Sequence, residues 1–125
     1  MSLGTVTPIL RMFDETLTRA FYVDFLGFKV DWEHRFEGNF PLYTQVSKDG
    51  CLLHLSGHFG DCAPGAAIRI ATSDVDAYQA ELIAKEYKHA RPGVAEVPWG
   101  GREMTIIDPS GNRLTFFNRE PEISA

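Results

Sequence analysis

Only two cysteines, Cys51 and Cys62, occur in this 125-residue chain, so no disulfide framework holds it together and its core must come from apolar burial. No apolar run approaches the roughly 20 residues of a membrane-crossing helix, so no membrane partner is expected. The opening MSLGTVTP lacks the basic-then-apolar order of an export signal. Reduced thiols in a cytoplasmic setting are therefore the expectation. An excess of basic residues is also missing. The net charge of −5 weighs against nucleic acid, because phosphate binding needs clustered Lys and Arg, and suits a cationic ligand mildly. No linker or low-complexity stretch divides the chain, which is expected to form a single domain over residues 1–125.

What is present is an order that occurs twice. Residues 5–12 read as a short strand, and Asp14 opens a helical pattern with Leu17, Phe21, Phe25 and Phe28 near helical spacing, closed by Gly27. Phe28, Val30, Trp32, His34 and Phe36 then alternate with Lys29, Asp31, Glu33 and Arg35, which predicts a half-buried strand with the aromatic set on one face. Strands follow at 40–47 and 51–56, joined by the turn Lys48-Asp49-Gly50. The second pass has a strand at 66–71 and a helix capped by Ser73-x-x-Asp76 with Val75, Tyr78 and Leu82 as its buried stripe. Strands at 94–98, 102–107 and 113–118 complete it, the last two joined by Asp108-Pro109-Ser110-Gly111. The prediction is an α+β fold of two βαβββ modules, about residues 5–58 and 65–118. Each helix covers one face of its sheet, and the other faces are expected to curl as one mixed sheet around a ligand cleft.

The stretch CLLHLSGHFGDC places Cys51, His54, His58, Asp61 and Cys62 close together in sequence. A metal site, a Cys51–Cys62 disulfide and an ordinary packed loop are all open readings. Strand alternation separates Cys51, Leu53 and Leu55 from Leu52, His54 and Ser56, so Cys51 and His54 cannot share an ion. His58, Asp61 and Cys62 lack a fourth ligand. The packed loop is the favoured reading.

The run RAFYVDFLGF, followed by SDVDAY and then by WGG and DPSGNRL, resembles the glyoxalase/bleomycin-resistance superfamily, the vicinal oxygen chelate proteins, over roughly residues 5–118. The resemblance implies the same fold but not one reaction, since such folds host many. Counted from these motifs, the four positions that hold metal ligands in the superfamily's enzymes fall at Thr7, His54, Ala67 and Thr115. Only His54 is a competent ligand, so no metal and no other cofactor is expected.

Without those ligands, the resemblance points to the branch that binds and sequesters bleomycin-type antibiotics without destroying them. EVPWGGREM resembles its Trp-Gly-Gly segment. That branch implies a homodimer, with Pro8 as a hinge for first-strand exchange. Strand parity places Thr7, Ile9, His54, Ser56, Ala67, Arg69, Thr115 and Phe117 on the cleft side. The expected ligand-binding set is Trp32, Phe36, Tyr43, His54, Ser56, Arg69, Trp99, Gly100 and Thr115, with no catalytic residue. The alternative is a vicinal oxygen chelate enzyme, a lyase, dioxygenase or thiol transferase, with His54 as its general base.

Overall fold

Two four-stranded sheets carry the chain, each built from one βαβββ run. The structure is a computed structural model and describes residues 1–118. Residues 119–125, the tail of the expected single domain, lie outside the described residues. The chain divides into two units: Met1–Ala66 with Asp108–Asn112, and Ala67–Ile107 with the chain from Arg113 onward.

In the first unit, β1 (Ile9–Arg11), β2 (Lys29–His34), β3 (Tyr43–Lys48) and β4 (Cys51–Ser56) form a sheet in the order β1-β4-β3-β2. β1 runs parallel to β4, and the other pairs are antiparallel. β1 is shorter than the stretch 5–12 suggested. Proline has no N–H to donate, so ladder pairing on this side begins with the Pro8 carbonyl, which accepts from His54 N at 3.0 Å. Asp49 and Gly50 both have positive φ, 51° and 81°, as a tight hairpin turn between right-twisted strands requires.

The helix between β1 and β2 departs from the expected regular pattern. Asp14 caps α1 (Glu15–Arg19) by accepting from Leu17 N at 2.8 Å. The chain then widens into a π-helix, Ala20–Phe25, in which Leu26 N bonds back five residues to Phe21 O at 2.9 Å. The extra residue in this turn rotates α1 relative to the next turn of the helix. Phe21, Tyr22, Phe25 and Leu26 all become buried, whereas Leu17, expected in the buried stripe, is 46% exposed and Thr18 is buried instead. Leu53 and Leu55 are buried, as strand parity predicted.

The DPSGN turn belongs to this unit and explains one family motif by another. The Asp108 carboxylate is buried and accepts four hydrogen bonds. Oδ1 takes Ser110 N at 2.8 Å and Asn112 N at 2.9 Å; Oδ2 takes the Tyr22 hydroxyl at 2.6 Å and Asn112 Nδ2 at 2.8 Å. Asn112 Nδ2 also donates to the Arg11 carbonyl at 2.9 Å. Gly111 closes the turn at φ 87°, which a residue with a Cβ adopts only at a cost.

Burial, and then the charge and hydrogen bond of Asp108, push the Tyr22 phenol well above its ordinary pKa. An unfolded tyrosine ionises near pH 10. Above that pH the unfolded chain releases a proton that folded Tyr22 keeps, so the stabilisation falls as pH rises. The urea midpoint should therefore drop between about pH 9 and pH 11, and the drop should be smaller in Tyr22→Phe. Equal drops in both proteins would rule out this linkage.

The second unit repeats the layout. β5 (Ala67–Thr72), β6 (Val94–Val97), β7 (Gly101–Ile107) and β8 (Arg113–Asn118) form a sheet in the order β5-β8-β7-β6, with β5 parallel to β8. α2 (Val75–Ala84) packs Val75 and Leu82 into the core together with Met104, Ile106, Leu114 and Phe116. Its cap is Asp74 rather than Ser73: the Asp74 carboxylate accepts from Ala77 N at 3.0 Å, and its extended φ of −155° turns the chain into the helix.

Candidate ligand-binding surface

A bulge decides which side chains the first sheet presents on the face away from its helix. Val30 pairs with Val46, but Trp32 pairs with Gln45, so Asp31 is the extra residue. Phe28 and Val30 therefore do not share a face with Trp32 and His34, against the expectation of unbroken alternation. Paired residues share a face, so Trp32, Gln45, His54 and Ile9 lie together, next to His34, Tyr43 and Ser56.

The aromatic groups on this face touch. Trp32 stacks on Tyr43 with ring centroids 5.9 Å apart and planes 10° apart, and it meets His54 edge-on at 5.3 Å. Trp32 keeps 42% of its surface exposed, so one flat face of the stack remains available. Phe36 lies against His34 at 4.7 Å and against His58 at 5.4 Å, and is 69% exposed.

His54 is fixed by hydrogen bonds on both ring nitrogens. Nδ1 lies 2.7 Å from the Tyr43 hydroxyl and Nε2 lies 2.9 Å from Gln45 Oε1. Gln45 Nε2 donates to Asp31 Oδ2 at 3.0 Å, and the Ser47 hydroxyl donates to Asp31 Oδ1 at 3.0 Å. An ionised carboxylate only accepts, so the amide orientation follows, and with it the tautomer. Gln45 Oε1 accepts from His54 Nε2–H, and His54 Nδ1 accepts from Tyr43. The Gln45 and Ser47 hydrogen bonds, and then Lys29, hold the Asp31 carboxyl below its usual range. Burial, and then the charges of Asp61 and Cys62, push the Tyr43 phenol up, so Tyr43 stays a donor at neutral pH.

The loop after β4 is held from below. Arg11 is buried and donates to the carbonyls of His58 at 2.8 Å, Phe59 at 2.7 Å and Cys62 at 2.6 Å. The Ser56 hydroxyl donates to Asp61 Oδ2 at 2.6 Å and accepts from His58 N at 3.1 Å. The stretch from Cys51 to Cys62 is thus the strand β4 followed by an organised loop, with two free thiols. Among the described residues, no three His, Cys, Asp or Glu side chains cluster to hold a metal ion.

In the second unit, Arg69 and Thr115 share a face of the sheet. Arg69 reaches Glu103 at 2.7 Å and lies over the Phe117 ring, 4.5 Å from its centroid. Arg69, and more weakly Trp99, donate to the Glu103 carboxyl and lower its pKa. This arginine is therefore already partnered. The Thr115 hydroxyl bonds that of Thr105 at 3.1 Å. Trp99 sits in the turn between β6 and β7, 68% exposed, next to Gly100 at φ 85°. The structure brings Trp32, Tyr43 and His54 into one cluster, with Phe36 and Ser56 at the adjoining loop; Arg69, Trp99, Gly100 and Thr115 belong to the second unit.

The four family ligand positions, Thr7 and His54 in the first unit and Ala67 and Thr115 in the second, do not fit a metal. Their one imidazole has both nitrogens engaged, and no carboxylate is among them. Gln45 and Asp31 went unnoticed in the sequence. Gln45 was within reach, two residues from Tyr43 on the same strand; Asp31 was not, because nothing in the alternation marks a bulge.

Residues 1–122 match the family model described as "Glyoxalase superfamily protein". The chain belongs to the glyoxalase superfamily. Comparison with curated proteins returned no significant match. Among solved structures, the bleomycin-binding protein from bleomycin-producing Streptomyces verticillus, complexed with copper(II)-bleomycin, is 27% identical. That alignment covers 96% of this chain and 99% of that one, with a TM-score of 0.72. TnmS3, an antibiotic-binding protein from Streptomyces sp. CB03234, is 26% identical over 96% of this chain and 99% of that one, with a TM-score of 0.73. The bleomycin resistance determinant encoded on the transposon Tn5 shares the fold at 21% identity, 95% and 100% coverage and a TM-score of 0.73.

Proposed function

We propose that this protein binds and sequesters a bleomycin-type antibiotic, or a similar ligand with planar aromatic rings, without chemically altering it. The observation that carries the reading is the half-exposed Trp32 stacked on Tyr43. It presents a rigid flat surface at little cost in side-chain entropy. The imidazole beside it is held in one tautomer, with both nitrogens in hydrogen bonds, an arrangement that suits recognition better than proton transfer. Two of the similar structures above 25% identity are an antibiotic-binding and a bleomycin-binding protein, which supports the same reading. The net charge of −5 favours a cationic drug. The working form we propose is a cytoplasmic homodimer, with Trp99, Gly100, Arg69 and Thr115 supplying further contacts.

The test is calorimetric titration with metal-free and copper-loaded bleomycin, with recovery of intact drug afterwards. Binding at one drug per chain, released unchanged, is the expected result. Trp32→Ala and Trp99→Ala should each weaken it by about 1–3 kcal/mol. Unchanged affinity in either variant removes that ring from the site, and absence of binding to both drug forms sinks the reading. Modified drug in the recovered fraction would make the protein an enzyme of the superfamily.

A further inference from the structure

We propose that Asp31 sets the polarity of the aromatic face: acting through Gln45 and His54, it commits the proton of the Tyr43 hydroxyl and leaves that oxygen to meet a ligand as an acceptor only. The ligand class so selected is a flat ring bearing an N–H or O–H donor at its edge. The inference rests on the reading of this face as a ligand surface, and it makes Asp31 and Gln45 positioning residues for that surface. Four side chains from three strands form one chain of hydrogen bonds: Asp31 on β2, Gln45 and Tyr43 on β3, and His54 on β4. The bulge makes this chain possible. Successive residues of a regular strand point to opposite faces. Here Asp31 reaches Gln45 and Ser47 while its neighbour Trp32 stacks on Tyr43 on the same side. Asp31 is the extra residue of the bulge, and bulges re-aim side chains beside functional surfaces.

The direction of the chain follows from its one member that cannot donate. An ionised carboxylate only accepts, so Gln45 turns its Nε2 to Asp31, at 3.0 Å, and its Oε1 to His54, at 2.9 Å. That oxygen holds the imidazole proton on Nε2 and leaves Nδ1 to accept from Tyr43 at 2.7 Å. A hydroxyl has one proton and two lone pairs. With its proton given to His54, Tyr43 has only acceptor capacity left, beside the half-exposed ring of Trp32. An uncharged amide at position 31 removes the constraint, because it can donate to Gln45 Oε1. Gln45 then turns over and donates to His54 Nε2, the imidazole proton sits on Nδ1, and Tyr43 accepts from it. The Tyr43 proton is freed to donate to a ligand.

Long-range nitrogen–proton correlation NMR on the ligand-free protein, at about pH 8.5 and well above the ordinary imidazole range, reads the His54 tautomer. The native protein should carry the proton on Nε2. Asp31→Asn, which keeps the shape of the side chain, should shift a large part of the population to Nδ1. Adding Gln45→Glu to that variant should restore the Nε2 proton, because a carboxylate then faces His54 directly; a merely structural role for Asp31 predicts no such rescue. The ligand probes are 6-aminoquinoline and 6-methoxyquinoline, one ring system with a donor or an acceptor at its edge, followed at the indole N–H of Trp32. The native protein should bind the amine roughly fivefold more tightly, the value of one hydrogen bond, and Asp31→Asn should erase that preference. Any of four results overturns the proposal: a proton on Nδ1 in the native protein, the same tautomer in Asp31→Asn, no rescue in the double variant, or no preference for the amine at Trp32. Failure to bind bleomycin would sink the sequestration reading and leave the tautomer and the quinoline preference as they are.

Discussion

Asp108→Ala should destabilise the protein by about 3–5 kcal/mol, as expected when a buried, multiply bonded charge is removed from its partners. Four donors converge on this one carboxylate: the Tyr22 hydroxyl, the amides of Ser110 and Asn112, and Asn112 Nδ2. Alanine leaves all four without that acceptor in a site where residues 110 and 112 are themselves buried. Each buried donor left unpaired costs about 1–3 kcal/mol, with partial relief where water or a second acceptor reaches it. Asn112 Nδ2 has such a second acceptor in the Arg11 carbonyl. The Tyr22 hydroxyl, on a ring buried against Phe21 and Phe28, bonds to Asp108 alone among the described residues. Against a total stability of about 5–15 kcal/mol for a domain of this kind, the loss is large. Tyr22→Phe should cost only about 1–2 kcal/mol, because it removes one donor and leaves the carboxylate three. Urea unfolding of the two single variants and the double variant gives the coupling directly. The double variant should be less destabilised than the sum, since each change removes the same bond. A loss under about 1 kcal/mol for Asp108→Ala would mean that this turn is not a pillar of the fold.

Arg11→Met should cost about 2–4 kcal/mol and release the loop from His58 to Cys62. Methionine keeps the apolar stem of arginine and loses the guanidinium. Three carbonyls, those of His58, Phe59 and Cys62, then lose their donor together. Hydrogen bonds from a charged donor are worth more than neutral ones, about 1.5–3 kcal/mol each, but a loop this close to the surface recovers part of the loss from water. Hydrogen exchange should show the gain in opening at residues 57–62, with strands β3 and β4 still protected. The effect should also reach the aromatic face of the first sheet, because Phe36 rests on His58. A variant with unchanged loop exchange would show that Ser56 and Asp61 hold the loop without Arg11.

The two βαβββ runs were legible in the sequence because their strands are bounded by turn chemistry and their apolar residues keep a clear period. Asp49-Gly50 and Asp108 to Gly111 fell where expected, and the sides taken by Leu53, Leu55, Arg69 and Phe117 followed from simple alternation. Two of the misses share one physical origin, an extra residue inside an element. The π-helix carries one in its turn, which moved Leu17 out of the core. The bulge at Asp31 carries one in its strand, which divided Val30 from Trp32. Hydrophobic period reports the average geometry of an element and passes over a single inserted residue. The His54 network was hidden for a second reason. Its tautomer depends on Gln45 and Asp31, which meet only after three strands have paired.

The bulge at Asp31 acts on this family's chemistry as a frame shift acts on a reading frame. Upstream of it, odd and even positions of β2 mean one thing; downstream they mean the opposite. A relative with the same residues in this strand, paired one to one without the bulge, would turn its tryptophan under the helix and its glutamate towards the opposite face. Residues matched by position across such relatives stay aligned as letters while exchanging sides of the sheet. One strand sequence can thus present an aromatic platform or a carboxylate on the same face by changing its pairing and not its composition.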